Sequence, residues 1–166
     1  MKKYIFLAIA SIFPSTHAIA NNDSGWWRDA NDYYLIWADS EDSIFQASIS
    51  RIGLTTKSPY VGFRLVGSHE RFCQNKGDSF KGTVIINVND QPINFETSCY
   101  KNKYLNMYPS KNMSNKFILD ELNSYRNKEL TFVISYNDAP DWVFTIPTKN
   151  FGSYYSSLTK SLKEVL

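Results

Sequence analysis

From Phe80 to Val88 the chain alternates, with Phe80, Gly82, Val84, Ile86 and Val88 on one side and Lys81, Thr83, Ile85 and Asn87 on the other. A repeat of two with β-branched residues predicts a strand that turns one face to a core and leaves the other mostly wet. The stretch from Pro92 to Cys99 alternates likewise, Ile93, Phe95 and Thr97 against Asn94, Glu96 and Ser98. The link "NDQP" tolerates unusual backbone angles, and Pro92 opens the return strand where a missing N–H matters least. Together they predict a hairpin. Further strands are expected at "YYLIW" and "SIFQASISRI" around the acidic turn "ADSED", at "YVGFRLV" with Val61, Phe63 and Leu65 on one side, and at "KNKYLNMYP" as far as Pro109. "ELTFVISY" and "DWVFTIP" predict a second hairpin around "NDAPD".

Two segments repeat at helical spacing instead. Ser114 is placed to cap a helix running to Asn127, with Ile118, Leu119, Leu122 and Tyr125 as its apolar stripe. Met113 and Ile118 are spaced for a hydrophobic staple. Asn150 is placed to cap a last helix carrying Phe151, Tyr154, Tyr155, Leu158, Leu162 and Val165, with Lys160 and Lys163 at the end that favours positive charge. Short strands separated by turn signals dominate. The expected fold is therefore mainly β, an antiparallel β-sandwich or a strongly curved sheet with two short helices, at the border of α+β.

The start of the chain carries an address. Lys2 and Lys3 precede the apolar run "YIFLAIASIF", which is too short to span a bilayer, and Ala18 to Ala20 form a small-x-small cleavage site. Residues 1–20 read as a secretory signal peptide, and residues 21–166 as one exported domain expected in the periplasm. Trp26 and Trp27, in an otherwise polar leader, are expected to dock onto the body of the domain. An oxidising compartment favours a disulfide between the two cysteines, Cys73 and Cys99, which bracket the first hairpin. A bridge closing a loop of that size contributes roughly 3–4 kcal/mol.

Charge then removes several function classes. Discounting Lys2 and Lys3, basic and acidic residues balance at 16 each, with no long run of one sign. Such a chain is not built to take nucleic acid or an anionic membrane as its main partner. Outside the signal there is one histidine, His69, and both thiols are spoken for, so neither a metal site nor a cofactor is expected. No phosphate-binding loop and no nucleophile elbow is present. The acidic pairs Glu41 with Asp42 and Asp138 with Asp141 read as solvated turns. The expectation is a binding protein and not an enzyme.

Two resemblances bear on what is bound. The C-terminal third, ending in "FTIPTKNFGSYYSSL", resembles the invasion-associated locus B family of exported bacterial β-sandwich proteins, although the order here is Phe151–Gly152 and not Gly–Phe. The export signal "MKKYIFLAIASIFPSTHA", the single cysteine pair and the Asn/Lys/Tyr-rich body are similar to the small plasmid-coded periplasmic immunity proteins of bacteriocin producers. The second resemblance implies a protein that binds and blocks a protein toxin, a lysozyme-like muramidase of the pesticin kind. The first implies an exported surface or invasion-associated interaction protein without enzymatic activity. A carrier of a small ligand held among the aromatics is a third reading.

A muramidase cleft holds acidic catalytic residues. A blocker needs a rigid protrusion with cations or polar donors, surrounded by aromatic area. Three loops have that composition: "GSHERFCQNKGD" with His69, Arg71 and Lys76; "YKNKY" with Lys101 and Lys103; and "NDAPDW" with Asp138, Asp141 and Trp142. The first two are expected to be joined through Cys73 and Cys99 into one basic patch.

Overall fold

The computed structural model describes residues 25–32, 34–52, 60–136 and 139–163. The expected signal segment and its cleavage point after Ala20 lie outside these residues, as does Asp138. Nine strands and three helices follow in the order β1 Trp27–Arg28, β2 Leu35–Asp39, β3 Phe45–Ile52, β4 Tyr60–Ser68, α1 Glu70–Lys76, β5 Lys81–Val88, β6 Gln91–Tyr100, β7 Tyr104–Pro109, α2 Asn112–Leu122, β8 Glu129–Tyr136, β9 Ala139–Pro147 and α3 Phe151–Lys163. All nine strands belong to one sheet with neighbours in the order β1-β2-β3-β4-β7-β6-β5-β8-β9, and every pairing is antiparallel.

The sheet curls until one face closes on itself. Phe45 of β3 stacks on Phe144 of β9 with ring centroids 4.0 Å apart, and Phe63 of β4 lies 5.9 Å from Phe132 of β8. These strands are far apart in the sheet order, so the contacts are made across a half-barrel and not along the ladder. Of the two architectures expected, the curved sheet is the one formed. Its lining is the alternating set: Ile36, Ala38, Phe45, Ala47, Ile49, Val61, Phe63, Leu65, Ile86, Val88, Ile93, Phe95, Phe132, Phe144 and Ile146 are all buried. The continuous strip of β-branched and aromatic side chains explains why these segments choose extended backbone.

The first hairpin has the expected faces and a tighter turn. Val88 pairs with Gln91, leaving only Asn89 and Asp90 in the loop, at φ of 46° and 65°. Asn and Asp tolerate this left-handed geometry, and two-residue loops of that hand match the twist of paired strands. The Asn89 amide also fixes the turn in space: its oxygen accepts from Thr131 N–H at 3.0 Å and its nitrogen donates to Glu121 at 2.8 Å.

The helices depart from the sequence reading in three ways. First, there are three among the described residues. The segment "ERFCQNK", read as loop, forms α1, with Glu70 in its first turn, Lys76 in its last and Gly77 at φ 73° ending it. Both charges complement the helix dipole, and glycine accepts the left-handed exit. Second, α2 begins at Asn112, with Lys111 at the cap position and no side-chain cap, and it stops at Leu122. Ser114 is inside the helix, and Tyr125 lies beyond its end. Third, the staple is absent, because Met113 is 83% exposed while Ile118 is fully buried. The stripe Ile118, Leu119 and Leu122 is buried as expected.

The free ends of the half-barrel are brought together by Trp26. Its indole N–H donates to the Pro147 carbonyl at 2.7 Å, its backbone N–H donates to Lys149 at 3.0 Å, and its ring meets Phe151 of α3 edge-on at 5.0 Å. Trp27 points the other way, stacking 6.3 Å from Trp37. Both indoles therefore dock onto the domain.

Candidate functional site

α1 leaves β4 directly and runs beside the tight turn between β6 and β7. Three links hold helix and turn together. Cys73, fully buried on the inner side of α1, is bridged to Cys99 near the end of β6. The His69 N–H donates to the Lys103 carbonyl at 3.0 Å. The Asn102 N–H donates to the Asp78 carboxylate at 2.7 Å. Lys101 and Asn102 occupy left-handed backbone at φ 53° and 51°, as Asn89 and Asp90 do, and Lys103 completes a three-residue loop between the paired Tyr100 and Tyr104.

This corner gathers five of the residues singled out in the sequence. Arg71 and Lys76 project from the outer side of α1, and Lys101 and Lys103 from the adjacent turn, all four exposed. His69 stands behind them, half-buried at the start of α1. Two carboxylates share the corner: Asp78 binds Asn102, and Glu70 accepts from the Gln74 amide at 3.1 Å. The four cations therefore outnumber the acids on a rigid protrusion. Aromatic area lies among them. Phe72 is 40% exposed and Tyr100 52% exposed, with Lys101 Nζ 5.2 Å above the Tyr100 ring and Lys103 Nζ 5.4 Å above that of Tyr104. Phe72 and Tyr100 were missed in the sequence. Their signal was adjacency: each sits next to a bridged cysteine, and so on an immobilised backbone.

The third loop does not take the form expected. Tyr136 pairs with Ala139, and Pro140, Asp141 and Trp142 already belong to β9. Trp142 pairs with Ile134 and shares the inner face of β9 with Phe144 and Ile146, so its indole goes into the barrel mouth and not to a protruding tip. It packs 4.7 Å from Phe45 and edge-on to His69 at 5.4 Å. Asp141 alternates to the opposite face and is exposed, apart from the basic corner.

His69 is held by this packing. Its ring also lies 5.9 Å from Phe45, and its Nε2 is buried without a hydrogen-bond partner. Burial lowers its pKa below the ordinary 6.5, because the charged form would lose water and gain nothing in return. The Gly67 backbone makes the space: a Cβ there would stand 2.7 Å from Phe45 Cε1 and 2.8 Å from His69 Cδ2. A narrow apolar pocket of about 170 Å³ lies alongside, bordered by His69, Phe72, Phe80, Leu105, Met107 and Trp142.

Among the described residues, no group of three His, Cys, Asp or Glu side chains converges as a metal site, and no helix is long and apolar enough to cross a membrane. Comparison with protein-family models, with curated proteins and with solved structures finds no match to this chain. The candidate site is a stapled corner that presents positive charge and aromatic edges, backed by a histidine packed among aromatic rings.

Proposed function

We propose that this protein is a periplasmic immunity protein, which binds a peptidoglycan-cleaving bacteriocin of the lysozyme-like, pesticin type and keeps it from glycan without turnover of its own. The observation that carries the reading is the corner formed by α1 and the β6–β7 turn. Arg71, Lys76, Lys101 and Lys103 stand exposed there on backbone held by a disulfide and two hydrogen bonds. Pre-organised cations lose little freedom on binding, and an acidic cleft is their complement. Phe72 and Tyr100 supply the apolar area that a charged rim alone lacks.

The test is binding of the exported protein to a purified pesticin-type muramidase, together with survival of sensitive cells that express it. Arg71→Glu combined with Lys101→Glu should slow association, and the loss should shrink as salt rises, because exposed charges act through long-range steering. Protection of cells should require the N-terminal export segment. No binding, or no protection from either the exported or the unexported chain, rejects the proposal and leaves the exported interaction protein as the better reading.

A further inference from the structure

A second cleft, of about 400 Å³, lies elsewhere on the molecule, where β4 and β7 part. The last pair between these strands is Leu65 with Met107; past it β4 runs on beside β3 alone and β7 beside β6 alone. Asn115 of α2 fills part of the gap. Its amide oxygen accepts from Phe63 N–H at 2.7 Å and its nitrogen donates to the Val61 carbonyl at 3.0 Å, as a neighbouring strand would. The remaining space is lined by Ser50, Arg64, Ser98, Asn106, Tyr108 and Asn112, among others. Arg64, Asn106 and Ser98 alternate with buried residues of their strands and so face away from the core.

Arg64 is the unusual member. Its side chain is half-buried, and its Nε is shut off from solvent with no hydrogen-bond partner. Burial pulls the guanidinium below its ordinary pKa, with a partial offset from Tyr100. No acidic side chain is among the described residues lining the cleft. Glu96, opposite Tyr108 on β6, is engaged by the Tyr108 hydroxyl, whose pKa is raised first by burial and then by that carboxylate. A buried charged donor with no acceptor is costly, and it is retained most readily where a ligand supplies the acceptor. The first residue of α2, Asn112, lines the same cleft, and that helix has neither a side-chain cap nor an acid in its first turn. Both features favour negative charge.

We propose that this cleft binds a small sugar acid, with its carboxylate on Arg64 and its hydroxyls among Ser50, Ser98, Asn106 and Asn112. A volume near 400 Å³ is at the small end of ligand sites, the size for one ring and its substituents. A single lining cation matches a monoanion better than a phosphate, and its planar fork fits a carboxylate edge-on. Hydroxyl and amide side chains both donate and accept, as a polyol requires, and the Tyr108 ring offers a flat side. No acidic residue is among the described residues lining the cleft to receive an ammonium, which disfavours an amino acid. The cleft shares no lining residue with the basic corner, and the inference does not rest on the immunity reading.

The experiment is titration of the full chain with glucuronate, followed by calorimetry and amide chemical shifts. Glucuronamide and inorganic phosphate are the comparison probes. Glucuronate should bind, and glucuronamide should bind about tenfold or more weakly, as expected for loss of a charge-assisted pair. Arg64→Gln should weaken glucuronate by a similar factor. Asn106→Asp, which leaves Arg64 in place and adds a repelling charge, should do the same even if Arg64→Gln does not fold. Arg71→Glu, at the other site, should leave glucuronate binding unchanged. Absence of glucuronate binding, equal binding of acid and amide, or tighter binding of phosphate would each overturn the assignment.

Discussion

The imidazole of His69 meets the indole of Trp142 edge-on, with ring centroids 5.4 Å apart. One ring stands at the entry of α1 and the other in β9, so this contact connects the stapled corner to the far edge of the sheet. The same contact makes the connection sensitive to acid. His69 titrates below 6.5 in the folded chain and near 6.5 in the unfolded one. The unfolded chain therefore binds a proton first as pH falls. Stability from this group is complete above about pH 6.5 and declines as pH drops from there toward the folded-state pKa. Urea midpoints at about pH 7.5 and about pH 5.5 should differ in the wild type, and the difference should shrink in His69→Gln. An unchanged pH profile in the variant would show that other groups carry it.

Removal of the bridge tests the rigidity of the corner. Cys73→Ser with Cys99→Ser should lower unfolding free energy by about 3–4 kcal/mol, read as a lower denaturant midpoint. Non-reducing peptide mapping of the wild type should recover Cys73 and Cys99 in one linked fragment. Two free thiols in the folded protein would contradict the pairing.

Gly67 has no room for a side chain between Phe45 and His69. Gly67→Ala forces those rings apart and should cost about 1–3 kcal/mol, as overpacking of filled cores does. The near-ultraviolet circular dichroism of the aromatic cluster should change with it. A variant of wild-type stability and spectrum would mean that the cluster yields easily.

Asn115 stands in for a missing strand neighbour of β4. Asn115→Ala leaves a donor and an acceptor unmet and should destabilise by roughly 1–3 kcal/mol. Amide exchange at Phe63 should accelerate more than at Leu65, which keeps its place opposite Met107. Equal acceleration at both would indicate a general loss of stability and not a local one.

The strands were legible because each carries its own period. Val84, Ile86 and Val88, or Phe45, Ala47 and Ile49, declare a buried face without reference to the rest of the chain. The cysteine pair was legible from count and spacing. α1 was not, because a seven-residue helix has too few turns to show a periodic stripe, and its one fully buried side chain is Cys73. Trp142 was given two places, in the strand "DWVFTIP" and in the loop "NDAPDW"; the strand is the one formed, because the alternation Trp142, Phe144, Ile146 continues it inward. The four cations of the corner could be named from the sequence, since Arg71 and Lys76 lie on either side of Cys73 and Lys101 and Lys103 follow closely on Cys99. The Arg64 cleft could not. It depends on β4 and β7 diverging after one particular pair and on a helix returning to that gap, and neither event leaves a mark in a local pattern.

The hydrogen bond from the Trp26 indole to Pro147 spans 121 residues of chain. Made N-terminus first, the polypeptide exposes this indole long before its acceptor exists. The β1–β2 edge must then wait unlatched while seven further strands are added. Loop-closure entropy for so distant a contact is recovered only when nearly all the intervening structure is in place. Latching is thus a late event in folding, and the seam is the part of the barrel to which a chain shortened ahead of Pro147 has no access. Such a chain would display a bare tryptophan and an open row of aromatic side chains, the surface that folding helpers and proteases recognise.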